Sequence, residues 1–200
     1  MNFKKLQNIQ VKLDKQMGLA PNAKEGLDTK FNKSAVALSV SISEIAITSE
    51  HFHSGERVIG KIDGSRFYKS VSNISGEEDG LLYDASLDTY ITPEKAYHLN
   101  LLEKCLNAFH HLLSVANQAE HKIDAIGNYF RIEKNDDTLE QNFLFMQNEI
   151  GDLKLHYFFA SDFDMIVDVF FIYIDQLGIT ADELEKAYYD KTSHLVVMEG

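Results

Sequence analysis

The residues able to do chemistry in this chain are carboxylates, histidines and a single thiol. Glu149 and Asp152 form an ExxD step, which on a helix aims two carboxylates along one face; such steps are frequent on exposed faces, so the pair alone carries little. His110 and His111 are adjacent, and neighbouring helical residues point about 100° apart, so the two cannot face one ion. His51 and His53 have strand-like spacing beside a glycine turn and suit a surface site, although satisfied or exposed histidines are the commoner outcome. Asp162, Asp164 and Asp168 read as an acidic helix start that complements the dipole. Cys105, on an apolar helical position, reads as a small buried hydrophobe, because a nucleophilic thiol needs a polarised, partly open setting. No P-loop, GxGxxG, HExxH, CxxC or GxSxG occurs, so the short motifs that carry a mechanism by themselves are missing.

Composition narrows the classes. Two hundred residues, 44% of them hydrophobic, suit a single domain with a real core. A net charge of −12 argues against non-specific nucleic-acid binding and against anionic membranes, which both want a positive face. The acidic excess suits either a solvated surface or collection of a divalent metal. A lone cysteine excludes an intramolecular disulfide and fits a reducing cytoplasm. The start, MNFKKLQNIQVKLDKQ, is too polar for a signal peptide, and the most apolar run, residues 165–174, is interrupted by Asp168 and too short to span a bilayer.

The elements that must position these groups are helical. Leu99 to Gln118 is the organising stretch: Leu102, Leu106, Phe109, Leu113 and Ala116 recur at helical spacing. Thr92 is its expected N-cap, with Pro93 first in the helix and Glu94 near the positive dipole end. Phe3 to Met17 predicts a first helix closed by Gly18 and Pro21, then a polar connector to about Asn32. Ala35 to Phe52 also fits a strand template through Val40 and Ile42, but its length favours helix. Residues 54–93, punctuated by glycines and two-residue apolar patches, read as an irregular insertion, either a lid or a short hairpin against a partner subunit. Ala119 to Ile132 is expected to continue as helix. A further helix spans Leu139 to Phe159. Ser161 is expected to cap Asp162 to Leu177, and Thr180-Ala181-Asp182-Glu183 to open a last helix after a turn at Gly178. No strand-rich block stands out, and the predicted architecture is an all-α multi-helix bundle in one domain, residues 1–200.

Read together, these segments resemble the dimeric all-α dUTPases, relatives of the MazG-type nucleotide pyrophosphohydrolases. IQVKLDKQM (Ile9 to Met17) resembles the family's opening helix, SEIAITSEHF (Ser43 to Phe52) its first metal helix, and NAFHHLLSVANQ (Asn107 to Gln118) its second. FFIYIDQLGITADELEKAYYDK (Phe170 to Lys191) is similar to its C-terminal helical turn. The resemblance covers roughly half the chain, in the family's order. It implies that Gln10 reads the uracil edge and that Lys191 binds phosphate. It also implies an ExxE on one helix and an ExxD on the next, four carboxylates that gather Mg²⁺ to hold phosphates and activate water.

Here the chain departs from the family. Glu44 matches the second Glu of the first pair, but the first falls on Ser41, and the ExxD falls on Lys104 and Asn107. Three of the four expected carboxylates are therefore replaced. A shifted set of Glu44, Glu50, Glu103 and Asn107 would be a weaker metal site, with Glu44 as its catalytic carboxylate. After Lys191 come Thr192, Ser193 and His194 in place of the family's phosphate-binding Asn and Arg, and Gly55-Glu56-Arg57 stands where a Trp and Lys cluster is expected. The implied protein is a homodimer. The first expectation is a dUTPase-like nucleotide-binding protein with weakened or lost pyrophosphohydrolase activity, binding dUTP, a related nucleotide or a protein partner. The alternatives are an active Mg²⁺-dependent dUTP/NTP pyrophosphohydrolase using the shifted set, and a non-enzymatic helical interaction module.

Overall fold

A computed structural model describes residues 1–16, 26–52, 60–68, 80–124 and 137–196, with backbone only for 194–196. Its frame is six helices: α1 (Phe3–Gln16), α2 (Leu27–Ser49), α3 (Pro93–Gln118), α4 (Leu139–Asp152), α5 (Ala160–Gln176) and α6 (Ala181–Val196). Between α2 and α3 lie three short strands, β1 (Phe67–Tyr68), β2 (Leu82–Asp84) and β3 (Thr89–Ile91). The chain is thus mostly helical, as its periodicity predicts. None of the described helices is long and apolar enough to cross a membrane.

α3 runs through the core. Cys105, Ala108, Phe109, Leu112, Leu113, Val115 and Ala116 are fully buried on it, and the Phe109 ring meets Phe3, Phe170, Phe171 and Tyr188 at centroid distances of 5.7 to 6.5 Å. Rings at that spacing, mostly edge to face, add to the burial of their large apolar areas. Thr92 caps the helix as expected, its Oγ1 accepting from the Lys95 N–H, with Pro93 in the first turn. Burial also pushes the Cys105 thiol up, which keeps it protonated and inert.

The ambiguous stretch after residue 35 is a helix. Its buried positions, Phe31, Ala35, Leu38, Ile42, Ile45 and Ala46, fall at helical and not alternating intervals. It starts at Leu27, earlier than the connector to Asn32 allows, because Phe31 and Lys30 are already buried in its first turns. It stops at Glu50, whose φ of 52° is left-handed.

Other boundaries also differ from expectation. α3 does not continue beyond Gln118: Glu120 takes φ 53°, and the His121 N–H reaches back to the Ala116 carbonyl at 2.9 Å, closing the helix without glycine. Residues 125–132 of the expected continuation lie outside the described residues, as do Gly18, Pro21, His53 and residues 55–57. The stretch from Leu139 is two elements, because α4 ends at Asp152 with Leu153 extended and a single 3₁₀ turn follows at Leu155–Tyr157. α4 opens with a full capping box between Thr138 and Gln141. Ser161 does not cap α5; it sits inside the helix and its Oγ donates to Asp162. Gly178 (φ 84°) makes the expected turn, and Thr180 Oγ1 accepts from the Glu183 N–H at 3.2 Å to start α6.

The insertion contains the one sheet among the described residues, antiparallel in the order β1-β2-β3. Its inner side places Phe67, Ile91 and Leu82 with Ala96 and Leu99 of α3 in a small satellite core. Asp84, fully buried, is held by Arg66 through Nε and Nη2, both at 3.2 Å. The outer side carries Tyr68, Tyr83 and Tyr90 in one cross-strand row, with ring centroids 5.5 and 5.3 Å apart.

Candidate functional site

Where α1, α2, α3 and α6 approach one another, the core gives way to a polar junction. α3 supplies Lys104, Asn107, His111 and Ser114 at spacings of three and four residues, which puts them on one helical face. α1 adds Gln10 and Asp14, α2 adds Glu44, and α6 adds Tyr188 and Lys191.

Gln10 lies at the centre and is 2% exposed. Its amide nitrogen donates to Asp14 Oδ1 at 2.8 Å and to Ser114 Oγ at 3.0 Å. Its amide oxygen accepts from the Tyr188 hydroxyl at 3.0 Å and lies 2.8 Å from His110 Nδ1. An amide oxygen only accepts, so the His110 proton sits on Nδ1. Both donors and both acceptor positions of Gln10 are thus committed within the protein, and reading a base edge would require one of these partners to leave. Ser114 completes the cycle by donating to Asp14 Oδ1 at 2.6 Å.

Burial sets the charges here. It lowers His110 to about 4, helped by the positive Lys191 and by His111, so the ring is neutral at pH 7. Burial lowers His111 as well, against the opposing pull of Asp14 and Glu44. Burial raises Asp14, while the bonds from Ser114 and Gln10 and the proximity of His111 work the other way. The Tyr188 phenol is pushed up by burial and by Asp14.

At the open end of the junction stand two ammonium groups. Lys104 Nζ lies 3.4 Å from Glu44 Oε2, and both side chains are partly exposed. Lys191 Nζ donates to Asn107 Oδ1 at 3.2 Å, one helical turn from Lys104. The structure therefore brings Gln10, Glu44, Lys104, Asn107 and Lys191 into one region. Ser41, one turn before Glu44, is buried in the face of α2 that carries Leu38, Ile42 and Ile45.

Glu50 and Glu103 are engaged elsewhere. Glu50 pairs with Lys61 at 3.8 Å at the end of α2, and Glu103 meets Arg66 Nη1 at 3.4 Å beside the sheet. Among the described residues no three His, Cys, Asp or Glu side chains gather into a metal-holding group. The donor chemistry does not fit the Mg²⁺ cluster that the resemblance implies. Each carboxylate of the shifted set already has a lysine or arginine beside it, at 3.4 to 3.8 Å, where a dication needs an excess of carboxylate. What the arrangement can do is hold an anion, with Lys104, Lys191 and the Asn107 amide as donors.

The sequence reading missed Asp14, Ser114 and Tyr188. Their signals were present: Asp14 stands four residues after Gln10, a polar pair inside an apolar helical face, and Ser114 extends the row begun by Lys104. Of the remaining candidates, Asp164 pairs with His121 at 2.7 Å. His51 bonds Ser49 Oγ through Nδ1 at 2.7 Å at the edge of an apolar hollow between α2 and α4. Comparisons with protein-family models, with curated proteins and with solved structures found no match for this chain.

Proposed function

We propose that this chain is a nucleotide-binding protein of the dimeric all-α dUTPase type in which pyrophosphohydrolase activity is weakened or lost. The Glu44–Lys104 ion pair is the observation that carries the reading. It joins α2 to α3, the two helices that resemble the family's metal helices, and a protein ammonium there satisfies Glu44 without a dication. The phosphates of dUTP or a related nucleotide lie against Lys104, Lys191 and Asn107, two solvent-accessible ammonium groups and an amide at the exposed end of the junction. Gln10 acts by fixing the tautomer of His110, which burial keeps neutral, and so keeps the α1–α3–α6 junction rigid behind the phosphates. Hydrolysis needs an attacking water made nucleophilic, and Mg²⁺ held by four carboxylates supplies that step in the family.

The test is a product assay. Purified protein is incubated with dUTP and Mg²⁺, and pyrophosphate and dUMP release are followed. The reading expects release near the uncatalysed background together with measurable nucleotide binding. Turnover at an ordinary enzyme rate, abolished by Glu44→Gln, would instead establish an active pyrophosphohydrolase that depends on Glu44. Neither binding nor turnover would direct attention to a helical protein-interaction module.

A further inference from the structure

A second concavity, outside the polar junction, lies between α2 and α4. On α4 its wall is Glu140, Phe143 and Leu144, whose intervals of three and four residues put them on one helical face. Ile47 of α2 stands among the groups opposite. The left-handed φ of 52° at Glu50 then turns the chain off α2, and His51 and Phe52 close the end of the hollow. Its volume of about 350 Å³ suits a small molecule.

Three of the walls are aromatic rings. Those of Phe52 and Phe143 stand 5.8 and 6.4 Å from the His51 ring, at interplanar angles of 78° and 67°. They therefore meet it as the sides of a corner and not as a stack. His51 is itself fixed, with Ser49 Oγ 2.7 Å from its Nδ1 and the buried Tyr173 ring of α5 behind it at 5.7 Å. Burial holds the imidazole below the usual histidine range against the pull of Glu140, so at pH 7 it adds a wall without adding charge. A side-chain hydrogen bond with Thr138 keeps the Glu140 carboxyl below its usual range, and it is ionised at pH 7. Among the described residues no lysine or arginine lines the hollow.

We propose that this hollow binds a small organic cation, a quaternary ammonium that bears a short apolar arm. The ammonium sits in the corner made by His51, Phe52 and Phe143, where aromatic rings attract a cation, with Glu140 as its counter-charge. The arm lies along Ile47 and Leu144. Quaternary character follows from the lining: apart from Glu140 the walls are mostly carbon. An ammonium carrying N–H groups would give up water there for too few acceptors, whereas a fully alkylated one has no N–H to satisfy. The net charge of −12 favours a cation over an anion at any site without its own lysines. This site shares no residue with the junction, whose Lys104 and Lys191 suit the opposite charge.

The experiment is calorimetric titration of the full chain with butyltrimethylammonium, followed in parallel through the His51 ring protons by NMR. One site per chain and a shift of the His51 signal are expected. Butylammonium, and the uncharged neohexanol with a tert-butyl head of the same shape, should each bind about tenfold more weakly. Glu140→Gln should weaken binding about tenfold and Phe143→Leu about fivefold. Glu140 is exposed and Phe143 half-buried, so both variants are expected to fold, which circular dichroism and melting check. Absence of binding at millimolar butyltrimethylammonium overturns the proposal. Equal binding of neohexanol also overturns it, as does a titration that neither Glu140→Gln nor Phe143→Leu alters.

Discussion

Lys104 Nζ stands 3.4 Å from Glu44 Oε2 across the α2–α3 contact, and both side chains keep partial access to solvent. Such a pair contributes little to stability, on the order of 0.5 kcal/mol. In the proposed function its weight lies in the Lys104 ammonium, which neutralises Glu44 at the mouth of the junction. Lys104→Ala is therefore expected to shift the melting temperature by only a degree or two while lowering affinity for dUTP about tenfold. Differential scanning fluorimetry and calorimetric titration on one preparation check both.

The Gln10 network predicts the opposite balance. Gln10→Leu keeps the side-chain volume but strips partners from Asp14, Ser114, His110 and Tyr188, all buried or nearly so. Orphaned buried polar groups cost about 1–3 kcal/mol each before relaxation, so a loss of several kcal/mol in urea unfolding is expected. A variant as stable as the wild type would show that the network holds nothing together.

His110 makes stability depend on pH. Its folded value near 4 lies below the unfolded value near 6.5, so the unfolded chain binds the extra proton between them. The stabilisation is complete above pH 6.5 and is lost as pH falls toward 4, by about 2 kcal/mol over the window. His111 shifts in the same direction and Asp14 in the opposite one. Denaturant unfolding at pH 4.5, 5.5 and 6.5 should show the fall in the wild type and a shallower one in His110→Gln.

Gly60 marks where the insertion enters the fold. A Cβ there would lie 2.3 Å from the Thr48 carbonyl oxygen and 2.6 Å from the Tyr97 ring, in a stretch pinned by the Lys61 N–H to Thr48 O bond. Gly60→Ala must push the segment that leads into the sheet off α2, at a cost of about 1–3 kcal/mol. Thermal melting measures it.

Arg66 fastens the sheet. Burial alone would raise Asp84, but the bonds from Arg66 and Ser86 outweigh it and hold the carboxyl at about 2. Arg66→Met leaves that carboxylate buried and without its cation, and it also removes the contact to Glu103 on α3. Amide exchange in β2 and β3 should accelerate well beyond that of α5.

The helices were legible because their apolar residues recur every three to four positions, from Leu6 on α1 to Tyr188 on α6. The ends were less so. Glu50 and Glu120 terminate helices in left-handed conformations without glycine, and no local residue choice announces that. The sheet was obscured because its strands are only two or three residues long. At the junction, Gln10, Glu44, Lys104, Asn107 and Lys191 were named from resemblance and came together. Asp14 lies one helical turn from Gln10, and Ser114 extends the row begun by Lys104; that these rows meet each other and Tyr188 depends on tertiary approach between residues far apart in sequence, which spacing along one helix does not encode.

The most direct measurement is thermal unfolding with dUTP and with dUMP, each in Mg²⁺ and in excess chelator. A nucleotide at a hundred times its dissociation constant should add about 2.7 kcal/mol, several degrees in melting temperature. If Lys104 takes the place of the metal on Glu44, the shift persists in chelator and disappears in Lys104→Glu. A shift that requires Mg²⁺, or none with any nucleotide, would contradict the account.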